Sequence, residues 1–380
     1  MILAARGEPL EQMLGPLSEA GRWAALAHVL DFDDLHLAST AHLSAVCAPV
    51  ALAEDGGARA YLAGAGVMAR LGALLGWRHY SSGWHATCTA GAPAAAAAAA
   101  LARGLDSERI SAAIALAVPA AGGVQRAFGT PAKSLQVAFA AEAGIRAAAL
   151  AEAGARADPR ALDDWVELVG GDPAALPPAP EAIPGGLAVK VYPCCYALQR
   201  PIAAAQALGP VDGSRVRRIQ VSTPTSALAP LIHHRPLSGL EGKFSLEYGL
   251  ACALLDTPVE LDSFSDEAVA RPEARPLMEA VEVESSDPGE GLLSGNVVIT
   301  ITLDDGTALD SELDFPPGAP QRPVSGADLA HKVATCAGEL ADAVMGLSWE
   351  TAAAFLRTAA ARAQPVGQSQ GYLGRRSPSR

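Results

Sequence analysis

Two proline-rich stretches constrain this chain more than any other feature: GDPAALPPAPEAIPGG at residues 171–186 and FPPGAPQRPVSG at residues 315–326. Proline removes a backbone donor and clashes with the preceding helical turn, so segments this dense in Pro and Gly read as boundaries. They cut a chain of 380 residues, long enough for two cores, into three parts of different texture. The first part, 1–185, is rich in alanine and leucine. Ala90–Gly104, Ser111–Ala121 and Ser134–Gly154 read as helices, with Gly104 and Gly154 placed as C-terminal caps. The middle part, 186–318, mixes helices at Cys194–Leu208 and Phe244–Leu255 with strand material at Arg215–Ser222, Ala280–Glu284 and Asn296–Leu303. Asp304-Asp305-Gly306 after the last of these is a hairpin signal. The third part, 319–365, returns to helix from Gly326 to about Arg362, and 366–380 reads as a disordered tail. The expected architecture is mainly α with an inserted α+β domain, the late helical segment rejoining the first body.

Composition narrows the function classes. Half of the residues are hydrophobic, but much of that share is alanine, and the run Ala94–Ala100 is too short and too weakly apolar to span a bilayer. The start MILAARGEPLEQM lacks the pattern of a signal peptide, so a soluble, cytoplasmic protein is expected. Six scattered cysteines and no CxxC pair argue against a disulfide scaffold, a zinc ribbon and an iron–sulfur cluster. A net charge of −13 makes nucleic acid and anionic membranes poor partners. A small anionic substrate stays open, because a cleft sets its own potential. HExxH, GxGxxG after a strand and GxxxxGK[ST] are absent, which removes zincin, nicotinamide and phosphate-loop chemistry.

Five constellations carry candidate chemistry. His28, Asp31, Asp33, Asp34, His36 and His42 place three carboxylates and three histidines within fifteen residues. If helical, His28 and Asp31 share a face, and a carboxylate beside an imidazole fixes its tautomer. His85 and Thr87 sit at a loop–helix junction, a plausible acid/base pair. Lys133 opens a helix against its macrodipole, so an anion should compensate it. Lys190 and Tyr192 follow the first boundary, where a cleft between domains would form. His233, His234 and Lys243 fall before another helix. Each has a plainer reading: a solvated helix end, a structural histidine, a surface lysine or a loop.

Taken in order, HVLDFDDLH, GWHATCTAG, TPAKSLQVAFAAEAGIRAAALAEAG, KVYPCCYALQRPIAAAQAL and KFSLEYGLACALLD resemble the MmgE/PrpD family over about residues 26–350. That family comprises 2-methylcitrate dehydratases without an iron–sulfur cluster, cis-aconitate decarboxylases and an epimerase of an amino-dicarboxylate. The resemblance implies a large helical domain with a smaller α+β lid, a homodimer, no metal or cofactor, and a cleft site. By motif that site maps onto Asp31, His42, His85, Lys133 and Lys190, with Thr87 and Tyr192 as further substrate contacts. His85 would be the proton-transfer residue, Asp31 would orient a histidine or act as its partner, and His42 would be a second acid/base group or a carboxylate ligand. Lys133 would hold negative charge with Lys190, the latter arriving as the lid closes. The implied activity is that of a lyase on a small polycarboxylic acid, first a 2-methylcitrate dehydratase, alternatively a cis-aconitate decarboxylase or an epimerase. A non-catalytic scaffold is the reading from another class. Leu35, Leu43 and Gln199 depart from the family's usual threonine, proline and histidine, and members usually carry several helices ahead of the DFDD element.

Overall fold

The computed structural model of the protein describes residues 1–175, 179–285 and 287–362, the side chains of 360–362 excepted. The expected tail at 366–380 lies outside the described residues. Among the described residues eight α-helices precede the middle of the chain: α1 (Glu19–Val29), α2 (Leu43–Ala53), α3 (Gly57–Ser81), α4 (Ala86–Thr89), α5 (Gly91–Ala102), α6 (Ser107–Ala117), α7 (Ala132–Glu152) and α8 (Ala161–Leu168). Ser18 starts α1 by accepting the Gly21 N–H, and Asp106 starts α6 by accepting the Arg109 N–H.

The alanine run forms the axis of this assembly. All of α5 but its last two residues is buried, surrounded by α2, α3, α6 and α7. Alanine keeps helix propensity high while letting neighbouring backbones come close. The closeness is visible at Gly144 of α7, where an added Cβ would lie 2.3 Å from the Ala95 Cβ. Gly64 of α3 meets α5 in the same way, 2.9 Å from the Ala98 Cβ. By length and composition α3 would suffice to cross a membrane, which the hydropathy expectation had not foreseen. It is interrupted at Gly76 (φ 64°, ψ −173°), and Ala60, Gly64, Met68, Leu71 and Leu75 form a buried stripe at helical spacing.

The middle part holds a second core. Its strands are β3 (Val216–Thr223), β4 (Val281–Ser285), β5 (Val297–Leu303) and β6 (Ala308–Leu313), in the order β4-β3-β5-β6. The β3–β4 pair is parallel and the other two pairs are antiparallel. Alternation sets the buried face: Ile219 and Val221 on β3 and Val297, Ile299 and Ile301 on β5 point inward. Helix α9 (Tyr196–Ala207) packs on β5 and β6, and α12 (Leu246–Leu255) packs on α9. Short helices fill the connections: α10 (Thr225–Leu228), α11 (Gly239–Gly242), α13 (Asp266–Ala270) and α14 (Ala274–Glu279). The earliest strands, β1 (Asp34–Leu35) and β2 (Ala188–Val189), pair antiparallel with each other, and Leu35 and Ala188 are buried in the first core.

The continuous helix expected after residue 326 is instead three: α15 (Gly326–Ala337), α16 (Ala341–Met345) and α17 (Trp349–Arg362). Gly338 (φ 53°) breaks the first junction, a conformation that a residue with a Cβ resists. Helix α17 lies against α2 and α3, with Trp349 stacked on Tyr61 and Arg357 paired with Glu19. The close α5–α7 approach generates a prediction. Gly144→Ala should lower the unfolding free energy by about 1–3 kcal/mol through overpacking, measured by urea denaturation. An unchanged midpoint would contradict the packing described.

Candidate functional site

A change of backbone direction builds the site. Helix α1 carries His28 in its last turn, ends at Val29, and is followed by Asp31 in the left-handed region (φ 51°). The expected shared helix face of His28 and Asp31 is therefore corrected: the helix is over before Asp31. That conformation is unfavourable for a residue with a Cβ, and Lys190 holds it by donating to both the Asp31 carbonyl O (3.0 Å) and Oδ1 (2.7 Å). Lys190 is delivered by the β1–β2 pairing. Asp34 opposes Val189, so the next residue along β2 falls beside Asp33. The Val189 N–H donates to the Gly318 carbonyl, where any Cβ would overlap the Val189 oxygen. Lys332 of α15 donates to the Lys190 carbonyl at 2.7 Å. Lys243 closes α1 from the other side, donating to Leu30 O and Pro193 O.

Around this turn the charged groups interlock. Lys133, in the first turn of α7, donates to Asp31 Oδ1 (3.0 Å) and to His28 Nε2 (2.7 Å). The anion expected to compensate Lys133 is thus Asp31. The other His28 nitrogen, Nδ1, lies 2.7 Å from Asp33 Oδ2. His42 Nδ1 is 3.1 Å from the same oxygen, though off the line of a hydrogen bond. His42 heads α2, and its N–H donates to Thr87 Oγ1. His85 heads α4, and its N–H donates to the Gly123 carbonyl.

One small cavity collects these groups where the two cores meet. Its walls include Asp31, Thr40, His42, Tyr80, His85, Lys133, Cys195 and Tyr196, closed over by Phe128, Phe244 and Leu292. It measures about 20 Å³, room for about one water. Four buried polar atoms of its lining residues have no hydrogen-bond partner: Asp31 Oδ2, His42 Nδ1, His85 Nε2 and Tyr196 Oη. A cavity whose lining leaves three hydrogen-bonding groups and a carboxylate oxygen unsatisfied is arranged for a polar ligand.

Of the residues singled out in the sequence, Asp31, His42, His85 and Lys133 line this cavity together. Lys190 does not: it is fully buried behind Asp31 and locked to it, so the expectation that it swings in on closure is corrected. Thr87 acts on the His42 backbone and is not in the lining. Tyr192 is also outside, its hydroxyl bonded to Gln206 Oε1; the tyrosines on the wall are Tyr80 and Tyr196. Gln199 serves the backbone, accepting the Val191 and Tyr192 N–H groups and donating to the Tyr192 carbonyl. The sequence reading gave no role to Tyr80, Tyr196 or Gln136. For Gln136 the available signal was its position three residues after Lys133 on one helix face.

His28, Asp31, Asp33 and His42 place donor atoms within 4.8 Å of one another, a spacing that suits a metal ion. Lys133 donates to His28 Nε2 and Asp31 Oδ1, and Lys190 donates to the same Oδ1, so two ammonium groups already compete for these atoms. Asp31 Oδ2, Asp33 Oδ1 and His42 Nδ1 have no hydrogen-bond partner.

Burial is the largest influence on Asp31, Lys190 and the three histidines, and neighbouring charges reverse it for Asp31 and Lys190 only. It opposes ionisation of Asp31, yet Lys133 and Lys190 hold that carboxyl well below the usual range. Burial likewise opposes the Lys190 charge, but Asp31 and Asp33 outweigh it and keep the ammonium above an ordinary lysine. For the histidines burial wins. His28 is pushed down to about 4 by burial and Lys133 against the pull of Asp33. His42 and His85 are lowered too, His85 by burial, Lys133 and the neighbouring imidazoles. A histidine lowered on folding binds more protons when unfolded, so stability rises with pH between the two values. Acidification from about pH 6.5 to about pH 4 should therefore cost about 3 kcal/mol through His28 alone. Urea titrations across this range should show the loss, with a smaller slope in His28→Gln. Stability that is flat on acidification would contradict neutral buried imidazoles.

Comparison with known proteins agrees with the motif order. The model of the MmgE/PrpD N-terminal domain matches residues 11–166, and that of the MmgE/PrpD C-terminal domain matches residues 192–352. A cis-aconitate decarboxylase of Aspergillus terreus is 27% identical over 377 residues, spanning 87% of this chain and 76% of the relative. The cis-aconitate decarboxylase of Homo sapiens is 28% identical over 297 residues, spanning 72% of this chain and 59% of the relative. With both family domains matched in order over most of its length, the chain belongs to the MmgE/PrpD family.

Proposed function

We propose that this protein is a lyase acting on a small polycarboxylic acid, and that its reaction is loss of CO2 from an unsaturated tricarboxylate of the cis-aconitate kind. The observation that carries the reading is the cavity at which a lysine ammonium, two histidines and four polar atoms without a hydrogen-bond partner converge. The relatives named cis-aconitate decarboxylase favour this reaction over dehydration of 2-methylcitrate, which remains the alternative outcome of the assay.

Breaking the bond to a carboxylate leaves an electron pair that spreads onto a neighbouring carboxylate as an enediolate. Lys133 supplies the charge for that oxygen, in surroundings where water is excluded and the interaction is strong. His85 Nε2 and Tyr196 Oη are placed to bond further substrate oxygens. His42, whose Nδ1 faces Asp33, is the candidate to return a proton to carbon. The space available is far below that of a tricarboxylate, so binding requires the Phe128, Phe244, Cys195 and Tyr196 wall to withdraw from the histidines. Motion of the second core against the first, as a lid, would provide this opening. The aspartates already balance the lysines, so an incoming polyanion displaces Asp31 from Lys133 or recruits protons to the imidazoles.

Three outcomes test this. Incubation with cis-aconitate in deuterated solvent, followed by NMR, should give a decarboxylated product carrying one solvent deuterium, at a rate unchanged by chelators. Absence of turnover and of solvent exchange with cis-aconitate, citrate and 2-methylcitrate would reject the lyase reading. Lys133→Met should lower kcat/KM by about 10²–10³-fold while the protein stays folded, and activity near wild type would remove Lys133 from the account. Because His42 is lowered by burial, a bound polyanion should raise it, so binding takes up protons and weakens as pH rises. Calorimetry in buffers of different ionisation heat reads this directly; proton release would contradict it.

A further inference from the structure

We infer that Gln136 is a positioning residue that fixes His85 as the Nε2–H tautomer, so that His85 meets the substrate as a hydrogen-bond donor and not as a base. The tautomer stands on geometry alone; its use in catalysis rests on the lyase reading above.

The backbone of Val124 presents a donor and an acceptor whose polarity cannot change. The Val124 N–H donates to Gln136 Oε1 at 3.0 Å, and the Val124 carbonyl accepts from Gln136 Nε2 at 3.3 Å. Turning the amide over would set its NH2 against the Val124 N–H and its oxygen against the Val124 carbonyl, so the orientation is fixed. Gly123 permits this approach: it takes φ 123°, and a Cβ there would lie 2.6 Å from the Cys88 Cβ and 3.2 Å from Gln136 Oε1. The oriented Nε2 is 2.7 Å from His85 Nδ1. A donor at that distance requires Nδ1 to be an acceptor. Cys88 Sγ, 3.2 Å from the same nitrogen, supplies a second donor as a neutral thiol. The imidazole proton therefore sits on Nε2, the buried atom without a partner on the cavity wall.

Two consequences follow for the reaction. An Nε2–H donor complements a carboxylate or enediolate oxygen, and it strengthens as negative charge gathers there. The His85 Nδ1, occupied as an acceptor by Gln136 and Cys88, is not free to take up the second proton of an imidazolium, so the acid that protonates carbon is assigned to His42, the other imidazole in the cavity. Gln136 and Lys133 lie three residues apart on α7, so one helix face carries both the ammonium and the group that orients the imidazole. Their relative placement is then set by the helix itself.

The test uses 15N-histidine-labelled full-length protein and two-bond 1H–15N correlation, with His85→Asn identifying the His85 signals. The wild type should show a bare Nδ1 and a protonated Nε2, unchanged across about pH 5.5–8. Gln136→Glu presents a carboxylate oxygen to Nδ1 and should move the proton there. Its kcat should fall at least about tenfold while KM changes less than about threefold. Gln136→Met removes the donor without adding an acceptor and should give a mixture of tautomers with an intermediate kcat. A wild-type His85 protonated on Nδ1, or titrating near neutrality, overturns the inference. So does a Gln136→Glu variant that keeps both the Nε2–H signal and the wild-type kcat. Should the wild type turn over none of the acids, the lyase reading fails separately, and the NMR of the wild type still decides the tautomer.

Discussion

The carboxylate of Asp31 holds this site together. Its Oδ1 receives both Lys133 and Lys190, one from the helical core and one from the strand that leads into the second core. All three groups are almost wholly removed from water, where an unpaired ammonium would be costly. Removing one member of such a buried set costs about 3–5 kcal/mol, mainly because the others are left uncompensated. The left-handed turn at Asp31, the β1–β2 pair and the Lys332 bond to the Lys190 carbonyl all maintain this meeting point. The ion cluster thus specifies where the two parts of the chain join, beyond any contribution to net stability.

The same cluster makes the site responsive to an anion. Two lysines are balanced by two aspartates, and the three imidazoles are held neutral by burial, which leaves the pocket poised between charge states. Asp31 is itself the anion that occupies Lys133 in the described conformation, with its second oxygen unpartnered. A substrate carboxylate that takes its place exchanges one charge-assisted bond for another, so most of the binding energy comes from the further contacts it reaches. Aromatic walls of Phe128 and Phe244, within about 6 Å of the Lys133 ammonium, exclude water without adding competing donors.

Much of the fold was legible because it depends on local rules. The alanine run declared a close-packed helix, and the Asp304-Asp305-Gly306 turn declared the β5–β6 hairpin. Site residues were legible as residue types in motifs, which brought Asp31, His42, His85 and Lys133 forward. What escaped were features that only tertiary contact creates. Strands of two residues, such as β1 and β2, have no period to detect. Asp31 carries no glycine or asparagine signal for its left-handed backbone. Tyr192 and Tyr196 look equivalent around the cysteine pair, and only the start of α9 at Tyr196 turns the second one into the cavity wall. Gln136 reads as a solvent-facing helix residue until Val124 is placed beside it.

The central claim is spatial: groups distant in sequence form one crevice that accepts a small polyanion. A crystal structure with tricarballylate, a saturated tricarboxylate that cannot lose CO2 by this route, tests it most directly. The account requires the ligand to lie in an opened cavity, one carboxylate on the Lys133 ammonium and another oxygen on His85 Nε2, with Asp31 still held by Lys190. A cavity that stays shut at saturating ligand, or tricarballylate bound away from Lys133 and His85, would contradict it.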